Sequence, residues 1–547
     1  MFRRSWRHTA AVATVALLAL SSVTACGDDS SDAKDLSENR AGAMENYAAG
    51  TQFKATEPLS FSVLYNNHPN YPLKNDWLFW KELTARTNVT LEPVAVPLSD
   101  YNQKRSLLIG AGDAPLLIPK TYPPDVHAYV SSGAILPVSD YLDLMPNLTD
   151  KIEKWNLKPE LDTLRQADGK FYLLPGVHEK PWHEYSLVVR TDILDELGLE
   201  IPKTWDELYT VLKAMKAKYP DVYPFSDRYS QPNPAGNLLN LLAVSHGLEG
   251  AGWNFQHVSW NADAQKFEYT GATEHYRHIL EYLNKLVAEK LLDPESFTQT
   301  DDLARQKLAN SKSFVISGNA QALVNDYRPD LAATNPKAKI TKIPLPVGPA
   351  GEINPASRLE NGMMISSKAR DSKNFVAMMQ FVDWLWYSDE GQMFARWGVE
   401  GTTYVKDATG KAGLAEDVDM IGLNPGAPKH LQKDFGFANG VFAYGGRPEL
   451  VQAFFSAEEQ EFQKVMNART PKSPPPPYPL TDEEREQVSL WETPLKDHVY
   501  QATLQFALGQ RDLAQWDAYV TELKSKNMDA YLDTVNKAYE RYRDEHK

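Results

Sequence analysis

His275 and His278 in "HYRH" lie about one helical turn apart, and "VHEKPWHE" sets His178 and His183 among two glutamates. Imidazole and carboxylate are zinc ligands, but a structural or catalytic zinc site takes three or four of them. Neither stretch supplies a full set, so both read as ordinary helix and loop residues. Two carboxylates about 5 to 10 Å apart could hydrolyse a glycosidic bond. The chain has 72 Asp and Glu residues, yet no spacing marks such a pair, and Glu458, Glu459 and Glu461 read as the solvated face of a helix. There is no G-x-S-x-G and no G-x-x-x-x-G-K-[ST], and "GAGDAP" lacks the third glycine of a dinucleotide loop. The sequence thus offers no motif for bond making, although 72 acids leave a carboxylate pair open.

Sugars present apolar C–H faces and polar edges, so a sugar site combines aromatic rings with hydrogen-bonding side chains. The chain has 13 Trp and 26 Tyr, a composition that suits such a site even though most rings must be core. Periodicity gives the elements that would present them. "LSFSVLYNNHPNYP" alternates through Leu59, Phe61, Val63 and Tyr65 and then breaks into polar residues, a strand running into a loop. "DWLFWKELTART" reads as an amphipathic helix and "VTLEPVAV" as a second strand. "SDYNQKRSLLIGAG" is a helix capped by Ser99, and "APLLIP" a third strand. This alternation predicts βαβ units and a largely parallel sheet, with ligands beyond the carboxyl ends of the strands. The loops at 65–71 and 113–122 offer Tyr65, Asn66, His68, Asp113 and Tyr122.

A second βα run begins at "YSLVVRTDILDELGLEIPKTWDELYTVLKAMKAKYP", where Thr204 and Glu207 form a capping box. Leu208, Val211, Leu212 and Met215 make the apolar face of its helix. Further on, "SDRYSQPNP" exposes Arg228 and Tyr229 after an apparent strand, "FVISGNAQ" ends a strand at Gly318 and Asn319, and "NGVFAYGGR" offers Tyr444 and Arg447. Arg228, Arg358 and Arg447 could pair bidentately with carboxylates on an acidic sugar. Phe375, Met378, Met379, Val382, Leu385 and Trp386 fall at helical spacing and read as core. "PKSPPPPYPLTDEE" is a polyproline-like connector before a helical C-terminal block.

The first sixty residues address the compartment. Arg3, Arg4 and Arg7 precede an apolar run too short to span a bilayer, the pattern of a secretory signal covering residues 1–25. It closes on Val23-Thr24-Ala25-Cys26-Gly27, which resembles the lipobox of bacterial lipoproteins and implies acylation of Cys26. Residues 26–56 are rich in Asp, Ser, Ala, Gly and Asn and read as a disordered tether. Cys26 is the only cysteine, so no disulfide framework and no other thiol chemistry exists. Removing the three leader arginines from 57 basic residues leaves 54 against 72 acids, a net charge of −18. That charge argues against nucleic acid or anionic lipid as a partner.

"YNQKRSLLIGAGDAPLLIP", "GAILPVSDYLDL", "DGKFYLLPG", "FVDWLWYSDEGQMFARWGVEGTTY" and "YVTELKSKNMDAYLDTVNKAYERY", with the 185–220 run, resemble in order the family 1 extracellular solute-binding proteins. The closest likeness is to the long lipoprotein branch of Gram-positive bacteria that serves oligosaccharide importers. The resemblance implies an α/β, two-lobed periplasmic-binding-protein-like (type II) fold with a ligand cleft between the lobes. It places lobe 1 at 57–178 and 358–400, and lobe 2 at 185–357 and 402–547. Trp182 and Tyr185 then sit at the first crossing between lobes, and Glu400 and Tyr404 at a later one. Relatives usually carry a second Asp soon after the proline of "AGDAP", where Leu116 and Leu117 stand here. Some relatives bind calcium in an EF-hand-like loop, but this chain has no D-x-[DN]-x-[DN]-G run, and no metal or cofactor is expected. The implied protein is a monomer with no enzymatic activity, anchored by lipid on the outer face of the membrane. It would close on an oligosaccharide, a neutral one first and a uronic-acid-containing one second. It would then deliver the sugar to an ABC permease driven by a separate ATPase. The rival readings are a secreted glycoside hydrolase and a surface lectin.

Overall fold

The computed structural model describes residues 35–228 and 236–546. The leader and Cys26 lie outside them, as does Tyr229. Four strands open the first sheet: β1 (Leu59–Asn67), β2 (Val89–Pro97), β3 (Leu117–Thr121) and β4 (Leu174–Val177). Helices α1 (Leu78–Thr87) and α2 (Tyr101–Gly110) make the βα crossovers, and α3 (Pro146–Lys154) precedes β4. The chain then builds a second sheet from β5 (Ser186–Arg190), β6 (Val315–Gly318) and β7 (Ile340–Lys342). Between β5 and β6 lie α4 (Trp205–Lys218) and α5 (Glu274–Ala288). It returns to the first sheet with β8 (Leu359–Ile365), giving strand orders β2-β1-β3-β8-β4 and β6-β5-β7.

The expected parallel sheet holds only where helices make the crossovers. β1 pairs parallel to β2 and to β3. β8 runs antiparallel to both β3 and β4, and β5 runs antiparallel to β6 and β7. Those strands arrive from distant parts of the chain, so no short right-handed crossover fixes their direction. Ser99 is not the cap of α2: its hydroxyl bonds Asp100, and no side chain caps that helix. Thr204 caps α4 as expected, accepting the Glu207 amide at 3.1 Å. The Glu207 carboxylate reaches past Thr204 to the Lys203 amide.

α6 (Phe375–Tyr387) is buried on every side beneath the first sheet. The second core gathers β5, α4 and α5. Onto it pack α7 (Ala457–Asn467), α8 (Asp482–Ala507) and α9 (Met528–Glu545), through Phe462, Val499, Phe506 and Tyr531. The stretch 431–446, placed by the resemblance in lobe 2, packs instead on the first sheet. Phe442 stacks on Phe79 at 4.8 Å, Phe437 meets Phe79 at 5.7 Å, and Asn439 donates to Tyr65 at 2.8 Å. Complementarity between rings far apart in sequence decides that placement.

From Asn39 onward the expected tether is folded against the core. Phe53 is fully buried, the Met44 amide donates to Gln380 at 2.9 Å, and the Tyr47 hydroxyl donates to Asp383 at 2.9 Å. Asp383, within α6, also accepts the Asn147 amide at 3.0 Å, the Leu148 amide at 2.9 Å and the Asn147 side chain at 2.7 Å. One buried carboxylate thus caps the N-terminus of α3 and clasps the N-terminal segment, because exposed helix N–H groups attract a negative charge. Two or three apolar side chains suffice to order a polar stretch when the core supplies such an acceptor.

Replacing Asp383 with Ala leaves three buried donors, the Tyr47 hydroxyl and the Asn147 and Leu148 amides, without an acceptor and should cost about 3 kcal/mol or more, read as a lowered melting temperature. Burial pushes the Asp383 carboxyl up to about 6 against the lowering effect of its hydrogen bonds from Asn147, Leu148 and Tyr47. Its folded value lies above its unfolded one of 3.8. The contribution of this titration is therefore full below pH 3.8 and lost as pH rises through about 6. A melting-temperature profile between pH 4 and 7 should show that decline in the parent protein and lack it in Asp383→Asn.

Candidate functional site

The chain leaves the first sheet at β4 and enters the second at β5, and residues 178–185 make the passage. On the first side the His178 amide donates to the Arg358 carbonyl at 2.8 Å, and the His178 ring meets Glu360 at 2.6 Å. On the second side no strand pairs with the chain, and side chains take over. The Gln463 amide accepts from the His183 N–H at 3.3 Å and donates to the His183 carbonyl at 2.7 Å. The Lys342 ammonium donates to the Glu184 carbonyl at 3.1 Å and to the Glu459 carboxylate at 2.7 Å. Lys342 also lies over the Phe462 ring. Glu459 is therefore not on a solvated face: it is buried and paired, and only Glu461 of the three stays exposed.

This clamp fixes Glu184 and Tyr185 at the edge of the second sheet. Glu184 is exposed and accepts from Asn319 at 2.9 Å. Tyr185 meets Trp253 edge-on at 4.6 Å, and the Arg228 guanidinium lies over both rings. Arg228 reaches Asp301 only at 3.4 Å, and its Nη2 is buried without a partner among the described residues. From the first sheet, β3 presents Lys120 and then Tyr122, which is 53% exposed. β8 presents Glu360, and the loop after β1 presents His68, stacked on Tyr71 at 4.7 Å.

Electrostatics tie the two sets together. Burial pushes Tyr185 up to about 12, with Glu184 adding to the shift, Arg228 opposing it and Tyr122 contributing from the other lobe. Burial acts to raise Glu360 too, but the His178 hydrogen bond and charge, Arg396 and the Gly445 amide hold it below the usual carboxylate range. Lys120 is lowered by burial, partly offset by Glu360 and Glu184. Burial and the Lys120 charge keep the His68 ring neutral at pH 7.

Lys120 also has an unusual backbone. Its φ is +54°, the left-handed region, which costs a residue with a Cβ about 1 kcal/mol. The turn around it enforces this. The Lys120 amide donates to the Tyr444 hydroxyl at 3.1 Å and its carbonyl accepts from Arg105 at 2.9 Å. Arg105 pairs with Asp125, which in turn accepts the Tyr122 amide.

Of the residues singled out in the sequence, His68, Tyr122, Tyr185, Arg228 and Asn319 converge here. Trp182 lies beside them at the passage, packed on Phe455 at 4.4 Å. The others do not. Tyr65 is core, bonded to the Tyr71 carbonyl, and Asn66 is buried with it. Tyr444 is buried behind Lys120. Tyr404 is buried against Trp397 at 6.0 Å, Glu400 pairs with Lys406 at 2.9 Å on the surface, and Asp113 is exposed at the end of α2. Arg447 pairs with Asp389 at 3.0 Å and Arg358 with Glu160. Sequence reasoning missed Lys120, Glu184 and Glu360. Their signal was a charged residue at the edge of an apolar run, in "LLIPKTY", "WHEYSLVV" and "LENGMMI". Among the described residues no three His, Asp or Glu side chains gather as a metal would need, and no helix is long and apolar enough to cross a membrane.

Two sheets joined by crossing segments, with rings and mixed charges facing one another between them, are the architecture of a binding cleft. Residues 77–393 match the family described as bacterial extracellular solute-binding protein. The chain belongs to that family. Among relatives of this solute-binding protein is the fructooligosaccharide ABC transporter substrate-binding protein FusA of Streptococcus pneumoniae. It is 24% identical over 92% of this chain and 95% of its own length. The fold matches the alginate-binding protein AlgQ2 with a TM-score of 0.67 at 20% identity, covering 90% of this chain and 99% of that one. It matches an extracellular solute-binding protein of Bifidobacterium longum subsp. infantis equally well, with a TM-score of 0.67 at 18% identity over 89% and 98%. The solute-binding protein therefore has the two-lobed α/β fold, and members of this family bind solutes rather than transform them.

The clamp can be tested apart from any ligand. Lys342→Met strands Glu459 as a buried unpaired charge and should destabilise by about 3 to 5 kcal/mol. The double substitution Lys342→Met with Glu459→Leu should recover most of that loss, as measured by thermal or urea denaturation.

Proposed function

We propose that this solute-binding protein captures an oligosaccharide between its lobes and delivers it to the permease of an ABC importer. The protein would be held at the outer face of the membrane by a lipid on Cys26. The observation that carries the reading is the pairing of aromatic rings with mixed donors and acceptors across the cleft. Tyr122 stands on one side, with Tyr185, Trp253, Arg228, Asn319 and Glu184 on the other. Rings cover the C–H faces of a sugar, carboxylates accept from its hydroxyls, and cations donate to its oxygens. The names of the relatives, FusA for fructooligosaccharides and AlgQ2 for alginate, support an oligosaccharide as the solute. The passage at 178–185 and the return near 358 serve as hinges about which the lobes close as a monomer. No bond of the ligand is broken, and ATP is hydrolysed by a partner.

A thermal-shift panel of neutral and acidic oligosaccharides tests this directly. A ligand at about 100 times its Kd should stabilise the protein by about 2.7 kcal/mol, and the sugar should be recovered intact. A shift with no sugar class would sink the reading, and hydrolysis would replace it with an enzyme. Tyr122 is exposed and its ring supports no core, so Tyr122→Ala should leave the unliganded melting temperature unchanged. It should weaken the sugar by roughly 1 kcal/mol, about fivefold in Kd by titration calorimetry.

A further inference from the structure

Lys120 is the cation that the charged groups of the cleft surround. Glu184 and Glu360 lie within electrostatic reach of its ammonium, one from each lobe, and His68 and Tyr71 flank it. The chain opposite is a glycine: a Cβ built on Gly440 would lie 3.0 Å from Lys120 Nζ and 2.8 Å from the Tyr71 hydroxyl. Among the described residues no hydrogen bond or ion pair satisfies that Nζ. Three donors are thus left open beside two carboxylates that have open acceptor positions of their own. The strained backbone that places them persists because Tyr444, Arg105 and Asp125 enforce it, and strain held in this way marks a working residue.

We propose that Lys120 is a specificity-determining residue, which with Glu184 and Glu360 selects a neutral polyhydroxyl ligand over an acidic one. The inference rests on the oligosaccharide reading of the cleft. A neutral vicinal diol accepts from Lys120 and donates to the carboxylates, filling all three partners. A uronate would gain Lys120 but would bring its negative charge against Glu360, which stays ionised at neutral pH. Like charges brought together in a desolvated cleft reject a ligand strongly. Two of the three arginines that could have offset this are engaged elsewhere, Arg358 by Glu160 and Arg447 by Asp389, and the third, Arg228, lies on the other lobe over Tyr185 and Trp253.

The test uses the full chain in mild detergent, titrated calorimetrically with kestose, raffinose and stachyose as neutral probes and trigalacturonate as the acidic one. Wild type should bind at least one neutral probe and bind trigalacturonate at least tenfold more weakly. Lys120→Met and Lys120→Gly should each lose at least tenfold for that neutral probe. Glycine adopts a left-handed φ without strain, so Lys120→Gly should melt no lower than wild type, which separates lost recognition from lost folding. Glu360→Gln should narrow the preference for the neutral probe. Tighter binding of trigalacturonate by wild type overturns the proposal, as does a neutral affinity unchanged within twofold in both Lys120 variants. Binding of none of the four probes defeats the oligosaccharide reading itself, and this inference with it.

Discussion

A chain that passes from one sheet to another must carry peptide groups across a gap where no strand can pair with them, and a buried unpaired peptide group is costly. Here Gln463 supplies the missing partner by offering both faces of its amide to His183. Lys342 completes the arrangement at the Glu184 carbonyl. The ion pair behind them, Lys342 with Glu459, is buried, and burial drives each partner towards its neutral form while their attraction opposes this. Such a pair contributes little net stability but penalises any other placement of α7 against the passage. Glu184 and Tyr185, which follow this clamp, are the residues on which Asn319, Trp253 and Arg228 converge.

The same logic governs the first lobe. Tyr444, taken in isolation as a sugar-binding ring, is a strut that holds the Lys120 backbone in a left-handed turn. Arg105 and Asp125 brace the turn from the other side, so that Lys120 and Tyr122 stand one residue apart at one braced strand end. Both halves of the cleft are therefore braced by hydrogen bonds and ion pairs that need no ligand. That limits the entropy lost on binding. Charge is nearly balanced across the gap, with Lys120 and Arg228 against Glu184, Glu360 and Asp301. This is the electrostatic character expected of a site for a polar, uncharged solute.

Local signals in the sequence were read correctly where a single element settles them. The alternation in β1 and the Thr204 cap of α4 were legible, as was the fully apolar helix at 375–387, because propensity and burial agree there. The direction of β8, the docking of 431–446 and the folding of residues 39–56 were not. Each depends on a partner more than 50 residues distant: β3 for β8, Phe79 for Phe442, Asp383 for Tyr47. Five of the candidate site residues converge, because strand ends and lobe crossings border the cleft whatever the ligand. Tyr65, Asn66, Tyr404 and Tyr444 stay out of it for a common reason: they are buried. A ring or amide in a polar loop looks the same whether it faces solvent, as a ligand would need, or turns inward as Tyr65 and Tyr404 do.

By itself the sequence determined the family, the alternation of strands and helices in each lobe, the presence of a single cysteine and the abundance of rings. These follow from residue type and short-range periodicity, which no tertiary contact alters. Only the tertiary structure decided which charges meet. Lys120, Glu184 and Glu360 stand far apart in the chain and belong to different strands and segments. Their grouping exists because β8 returns between β3 and β4 and because Gln463 and Lys342 hold the passage against the second sheet. Coulomb interactions and hydrogen bonds act through space over a few ångströms, and proximity in space is what folding adds to the order of residues.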